Sequence, residues 1–170
     1  EKYAAYSPVM HQATMRITIA HYLNDRVVRH WAMDIKQAYI STHMKREVYI
    51  KHPQGFRVEE LPDGKLKAVR LRPGERPPNT CMRLLRALYG GMECGRLFWE
   101  AYFDYHFQLG FKTIHHDQCY LYLVKSDSFI RLSVHVDDSG ITQKGDELWE
   151  WYQQKIAARY EYTLEPLRMH

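Results

Sequence analysis

The run SVHVDDS at residues 133–139 is the feature that most constrains how this 170-residue chain can fold. A β-branched apolar stretch that leads directly into two carboxylates predicts a strand that ends at a tight, charged turn, with Asp137 and Asp138 at its end. Residues 119–124 and 129–136 both have strand patterns, and the four residues between them, KSDS, are typical of a hairpin. The sequence therefore predicts an antiparallel pair of strands that presents two carboxylates.

A third carboxylate, Asp34, lies far upstream and also follows an apolar strand pattern, in WAMDIKQAY at residues 31–39. Two strand ends that carry three carboxylates match the arrangement needed for two-metal phosphoryl transfer. Oxygen ligands suit Mg²⁺, and two ions roughly 3.5–4 Å apart hold the attacking and leaving oxygens of an in-line displacement. The alternative is that the Asp-Asp pair forms only a solvated turn, where a cation or water relieves the repulsion between the two charges.

Composition indicates one folded domain over residues 1–170. Hydrophobic residues make up 45% of the chain and aromatic residues 14%, with 13 tyrosines, which is unlike a disordered sequence. No apolar run is long enough to span a membrane. The three cysteines are widely spaced, fitting neither a disulfide framework nor a zinc site, so we expect a reducing intracellular compartment.

The charge is mildly basic and unevenly distributed. A net charge of +4 and a pI near 8.9 are compatible with a polyanionic partner but do not require one. The cations are concentrated in two groups, which are Lys65, Lys67, Arg70 and Arg72, and then Arg83, Arg86 and Arg96. Solvated surface is the alternative interpretation of each group.

Hydrophobic periodicity and turn residues predict an α+β fold in which helices back one face of an antiparallel sheet. A polymerase palm has this organisation, and so do many ferredoxin-like domains. The expected elements are a helix at 14–24, strands at 26–35 and 47–52, a hairpin or extended loop at 58–79 with an arm at 65–71, a strand or turn at 81–88, a helix at 94–109 ended by Gly110, the two strands already described, a helix at 146–158 and a strand at 160–164.

The order of short motifs along nearly the whole chain resembles one family, the reverse transcriptases of copia-type retrotransposons. The motifs are YSPV at 6–9, DIKQAY at 34–39, EVYI at 47–50, PQGF at 53–56, LYG at 88–90, Arg96 with Trp99, the segment from Gly110 to Tyr122, and VDD at 136–138 followed by Ile141 and Thr142. The resemblance implies a palm-like antiparallel sheet with part of the fingers and without a thumb.

The resemblance also implies an RNA-directed DNA polymerase in which Asp34, Asp137 and Asp138 hold two Mg²⁺ (or Mn²⁺) ions. Tyr39 would lie against the sugar of the incoming dNTP, while Tyr89 and Gly90 would flank the templating base pair. The further implied substrate and phosphate contacts to the RNA template and DNA primer are Arg96, Lys65, Lys67, Arg70, Arg72, Arg83 and Arg86.

The chain departs from the family at two places. His135 stands where the family usually has tyrosine, and GMECGR at 91–96 replaces the usual Leu-Lys-Gln-Ala-Pro-Arg, which brings Glu93 close to where polyanions should bind. We expect the basic fingers strands, the thumb and the ribonuclease H domain to belong to the remainder of a polyprotein. The alternatives are a domesticated, non-catalytic subunit of a larger protein or ribonucleoprotein assembly, and an RNA-binding module without catalysis.

Overall fold

The computed structural model describes residues 7–24 and 27–167, with residues 22–24 described by their backbone alone. Tyr6, the first residue of the YSPV motif, and Arg26, the expected start of a strand, lie outside these ranges. The described residues form two compact units, one that falls within Glu1–His43 and Arg86–His170, the other Met44–Leu85. Within the described ranges, no helix is both long enough and apolar enough to cross a membrane.

The elements confirm the α+β class. In chain order they are α1 (Gln12–Asn24), β1 (Arg29–Ile35), a 3₁₀ turn (Tyr39–Ser41), β2 (Tyr49–Lys51), β3 (Phe56–Glu60), β4 (Leu66–Arg70), β5 (Cys81–Arg83), α2 (Cys94–Gln108), β6 (Lys112–Ile114), β7 (Asp117–Lys125), β8 (Ser128–His135), β9 (Asp138–Lys144), α3 (Asp146–Ala157) and β10 (Tyr162–Pro166).

The first unit is built on a six-stranded sheet with the order β10-β1-β9-β8-β7-β6. Every neighbouring pair is antiparallel, so β6 to β9 form a meander while β1 is inserted between β9 and β10. The strand patterns that predicted β7 and β8 were correct because alternate residues of both strands, among them Leu121 and Leu132, are completely buried. β6 and β9 were not predicted from hydrophobic periodicity.

Helices α2 and α3 cover one face of this sheet. Phe98, Tyr102 and Phe103 recur at helical spacing on α2 and are buried together with Tyr152 and Ile156 of α3 in the core against the sheet. The predicted bounds of both helices are confirmed within about two residues. Gly110 follows α2 at φ +92°, the left-handed conformation that ends a helix and favours glycine.

Helix α1 lies on the opposite face, so the expectation that the helices share one face was wrong. The His21 ring of α1 meets Phe129 of β8 edge-on at 6.0 Å, and Phe129 alternates with the core residue Ile130. Apolar side chains on α1 point in several directions, and Met15 and Ile17 remain exposed. Such a helix has no single apolar stripe from which the covered face could be predicted.

The second unit contains two small antiparallel pairs. β3 and β4 form the hairpin expected between residues 58 and 79, and Lys67 of β4 lies opposite Glu59 of β3. β2 pairs with β5, so the ambiguous segment at 81–88 contains a three-residue strand. Much of this hairpin is exposed, including Leu66 at 70%.

Candidate functional site

The two adjacent carboxylates occupy the turn between β8 and β9. His135 is paired with Asp138 across the turn, which leaves Val136 and Asp137 as its two central residues. Asp138 is therefore the first residue of β9, not the end of β8 as the strand pattern suggested. Val136 has φ +59°, a conformation that is costly for a β-branched residue and that marks this turn as strained.

Asp34 lies directly opposite Asp138 in the register of β1 and β9. The backbone N–H of Ile35 donates a 3.1 Å hydrogen bond to the carbonyl oxygen of Asp137, which ties the turn to the end of β1. Residues opposite each other in an antiparallel pair project to the same face. The sheet thus brings the three predicted carboxylates to one end of the neighbouring strands β1 and β9, with Asp34 and Asp138 exposed and Asp137 half-buried.

The carboxylates act on one another electrostatically. The pKa of Asp138 is raised, first by partial burial and then by the negative charges of Asp137 and Asp34, while His135 opposes the rise. A cation placed between these groups would remove that repulsion. The arrangement therefore concentrates negative charge at one end of the sheet, where a cation would be attracted.

The donor atoms suit magnesium, since all three groups present carboxylate oxygens. In the part of the chain that the structure describes, no three His, Cys, Asp or Glu side chains converge closely enough to hold one ion by themselves. Mg²⁺ is commonly bound by one or two carboxylates together with substrate phosphates and water, rather than by a complete protein cage. The pair of Asp34 and Asp138 fits that mode of binding.

Two tyrosines stand beside the carboxylates. The rings of Tyr39 and Tyr89 are 4.3 Å apart between centroids with a 34° tilt, and Tyr39 also meets Phe98 at 6.2 Å. Burial raises the pKa of both phenols, and the charge of Asp137 raises them further. The structure therefore brings Tyr39 and Tyr89 together next to the turn, with Gly90 following at φ +88°.

Arg96 is held within α2. Its Nε donates to Glu100 Oε1 at 2.8 Å, and its guanidinium lies 5.3 Å from the centroid of Trp99. These contacts fix the orientation of the side chain and neutralise part of its charge. Any contact of Arg96 with a substrate would compete with the Glu100 pair.

The six other predicted phosphate contacts are all exposed. Five of them, Lys65, Lys67, Arg70, Arg72 and Arg83, belong to the second unit. Two are already paired there, since Lys65 contacts Asp63 at 3.1 Å and Arg83 contacts Glu47 at 3.1 Å. Arg86 belongs to the first unit and donates to the Ser41 carbonyl oxygen at 3.0 Å.

Neither Val136 nor Lys36 was predicted to be a functional residue. Two-residue hairpin turns usually have glycine where φ is positive, and here that position holds a valine. The available signal for Val136 was therefore its place in a tight turn directly before the two aspartates. Lys36 follows Asp34 by two residues, and its Nζ contacts Glu161 Oε1 at 2.9 Å. Lys36 and Glu161 are too far apart in the chain for hydrophobic periodicity to predict their contact. The contact depends on the pairing of β1 with β10.

Comparison with known proteins gives a consistent set of relatives. A family model described as reverse transcriptase (RNA-dependent DNA polymerase) matches residues 1–167. The chain is 29% identical over 158 residues to the retrovirus-related Pol polyprotein from transposon RE2 of Arabidopsis thaliana, covering 91% of this chain and 10% of that protein. It is 26% identical over 140 residues to the corresponding polyprotein from transposon RE1, covering 81% and 8%. No solved structure matches the chain significantly.

Proposed function

The chain belongs to the copia-type reverse transcriptase family, and from this premise we propose that it is the palm, with part of the fingers, of an RNA-directed DNA polymerase. It spans about a tenth of the length of the two plant polyproteins that it matches. The thumb, the ribonuclease H domain and the rest of the fingers would then be contributed by other parts of such a polyprotein.

One observation carries the proposal, namely the register that sets Asp34 opposite Asp138 at the turn containing Asp137. Nucleotidyl transfer requires carboxylate oxygens that are held in place before substrate arrives, because catalysis comes largely from positioning and electrostatics. β1 and β9 each pair with a strand on both sides within the six-stranded sheet, and this backbone pairing provides that rigidity. A solvated turn would need neither the opposite carboxylate nor the strained Val136.

Asp34 and Asp137, with Asp138 beside them, would supply the protein ligands of two Mg²⁺ ions. When bound, these ions would lower the pKa of the primer 3′-hydroxyl and stabilise the departing pyrophosphate. The chain's own contribution is to hold the carboxylates in place. Repulsion among the three negative charges disfavours ionisation, and bound cations would offset that repulsion.

Tyr39 would select deoxynucleotides. Its ring is held between Tyr89 and Phe98, so it cannot swing away without breaking both ring contacts. A fixed ring beside the carboxylates would clash with a 2′-hydroxyl on an incoming nucleotide. Tyr39→Ala should therefore increase ribonucleotide incorporation relative to deoxynucleotide incorporation, whereas Tyr105→Ala, which changes a tyrosine at the opposite end of α2, should not.

The direct test is primer extension on an RNA template with Mg²⁺ or Mn²⁺. We expect Asp34→Asn, Asp137→Asn and Asp138→Asn each to lower the rate by about a hundredfold or more. Asp127→Asn, in the exposed turn between β7 and β8, is the matched control and should retain full activity. Circular dichroism and thermal unfolding of each variant separate loss of catalysis from loss of folding.

Absence of extension by the folded, metal-supplied protein would contradict a self-sufficient catalytic core. The domesticated, non-catalytic subunit would then be the better hypothesis, and the experiment would turn to its protein partners. Extension that persists in all three Asp→Asn variants would contradict the assignment of the carboxylates, whatever the origin of the activity.

A further inference from the structure

Asp117, at the start of β7, is a buried carboxylate that the proposed site does not use. Only 2% of its surface is exposed. A carboxylate that loses its water in this way needs a cation or strong hydrogen bonds to offset the cost. Within the described part of the chain, Asp117 forms no ion pair with a lysine, arginine or histidine. The compensation that the fold provides is therefore hydrogen bonding.

Both carboxylate oxygens of Asp117 accept hydrogen bonds from backbone N–H groups. Oδ1 accepts from Cys119 at 3.0 Å, within β7 itself. Oδ2 accepts from His11 at 2.9 Å, across 106 residues of the chain. His11 directly precedes α1, and its carbonyl oxygen accepts from the Met15 N–H, as in the first turn of a helix. Since hydrogen bonds to a charged acceptor are the strong ones, Asp117 ties the start of α1 firmly to the start of β7.

Segment 7–11, which this bond fixes at one end, runs beside the end of β8. The pairing of β7 with β8 stops at Tyr120 and Ser133, two residues before His135. At His135 the neighbouring position is instead taken by Val9, which forms an isolated antiparallel bridge with it. Segment 7–11 therefore continues the pairing of β8 beyond the point that β7 reaches.

The turn that follows His135 needs such support. Val136 has φ +59°, a conformation that a β-branched residue keeps only where its surroundings impose it. His135 is held on one side by Asp138 of β9 and on the other by Val9. Loss of the Val9 contact would leave the residue before the strained position paired on one side only.

We infer that Asp117 is a positioning residue for the turn between β8 and β9. Its carboxylate anchors segment 7–11, and Val9 of that segment fixes the backbone from which Asp137 and Asp138 project. Asp117 itself is too deeply buried to touch a substrate, so it acts through the segment. Its value for nucleotidyl transfer rests on the proposed function, because displacement of a reacting group by about 1 Å costs about a hundredfold in rate. Its effect on the turn requires no catalysis.

The test is amide hydrogen exchange, measured by NMR, in Asp117→Asn. The new side chain has the same shape but turns an NH₂ group toward one of the two N–H donors, so one hydrogen bond is lost. The reporter is the Ile35 amide on β1, which donates to the Asp137 carbonyl oxygen at 3.1 Å. It should exchange about threefold faster or more, because the turn opens more often. The Lys36 amide, which donates to the Glu161 carbonyl oxygen, is the internal control and should keep its original exchange rate.

Two further variants make this measurement decisive. Asp117→Ala removes both acceptors and should accelerate exchange of the Ile35 amide about tenfold or more. Asp127→Asn, in the exposed turn at the other end of β7 and β8, is the matched control and should change neither rate. Thermal unfolding shows that each variant is folded at the temperature of the measurement. An Ile35 amide unaffected in both Asp117 variants, or equal acceleration of the Ile35 and Lys36 amides, would overturn the inference.

Steady-state kinetics link the turn to the proposed reaction. In primer extension, Asp117→Asn should lower kcat about tenfold and change the KM for the dNTP less than twofold, because misplaced carboxylates weaken transition-state stabilisation more than substrate binding. A residue that only stabilised the fold would leave kcat of the folded protein unchanged, and that result would overturn the catalytic part of the inference. Faster Ile35 exchange in the variants of a protein that extends no primer would confirm the anchor and contradict the proposed function.

Discussion

The buried histidine of α2 makes the stability of this protein depend on pH in a calculable way. His106 is fully buried, with Nδ1 2.8 Å from the Tyr102 carbonyl oxygen and Nε2 2.9 Å from the Tyr152 hydroxyl. A carbonyl oxygen can only accept, so Nδ1 carries the proton and Nε2 accepts from the Tyr152 O–H. Both ring nitrogens are satisfied in the neutral form, and a second proton has no acceptor prepared for it.

Burial accordingly lowers the pKa of His106 to about 4 from an ordinary value of 6.5. Between these two values the unfolded chain binds the proton and the folded chain does not, so acidification favours unfolding. The stability that the neutral ring provides is fully present above pH 6.5 and declines as the pH falls toward 4. At 1.36 kcal/mol per pKa unit, the loss across that window is about 3 kcal/mol.

The assay is urea denaturation at pH 7.5 and at pH 4, carried out on the unchanged protein and on His106→Gln. The variant has no ring to titrate, so its free energy of unfolding should fall about 3 kcal/mol less between the two pH values. His43→Gln, which removes an exposed ring, is the control and should fall as much as the unchanged protein. An equal fall in His106→Gln and the unchanged protein would refute the assignment of a neutral, buried ring.

Three further predictions concern the sheet and its carboxylates. Asp34→Asn should bring the pKa of Asp138 closer to its ordinary value, because one of the charges that raises it is removed. NMR titration of the Asp138 carboxyl carbon measures this pKa. An unchanged titration midpoint would show that Asp34 does not act on Asp138. Val136→Gly should stabilise the protein by about 1 kcal/mol, because glycine tolerates φ +59° without a steric cost. A lower denaturation midpoint would show that the contacts of the valine side chain stabilise the fold more than the backbone strain destabilises it. Ile130→Ala should lower the free energy of unfolding by about 2–5 kcal/mol, since Ile130 is completely buried. Val124 on the neighbouring strand is 58% exposed, so Val124→Ala should change the stability by about 0.5 kcal/mol or less. Equal effects of the two substitutions on thermal unfolding would contradict the orientation of β7 and β8.

The parts of the fold that could be predicted are those where local pattern and burial agree. β7, β8, α2 and α3 each carry an apolar face whose spacing matches their own geometry, so periodicity was sufficient. β9 has the sequence DSGITQK, which reads as polar with a glycine in its middle. It is a strand because β1 and β8 pair with it on both sides, and that cause is tertiary.

The candidate site shows the same division. Residue type and family resemblance predicted Asp34, Asp137 and Asp138 as metal ligands, whereas the opposition of Asp34 and Asp138 depends on the register of two strands distant in sequence. That Arg86 and Arg159 line one groove could not be predicted, because the two residues are distant in the chain and only the fold brings them together. Solvent-exposed charges have no periodicity from which their neighbours could be inferred.

The insertion of β1 between β9 and β10 has a consequence for the order of folding. His30 of β1 and Thr142 of β9, whose side chains hydrogen-bond at 2.7 Å, are 112 residues apart in the chain. Contacts of such long range form late, because closing the intervening loop costs entropy before any pairing repays it. On a ribosome that synthesises the chain from its N-terminus, β1 has no partner in this sheet until β9 has emerged, whereas β6, β7 and β8 can pair before then. The opposition of Asp34 and Asp138 is therefore among the last features to form, and nascent chains that lack β9 also lack Asp138.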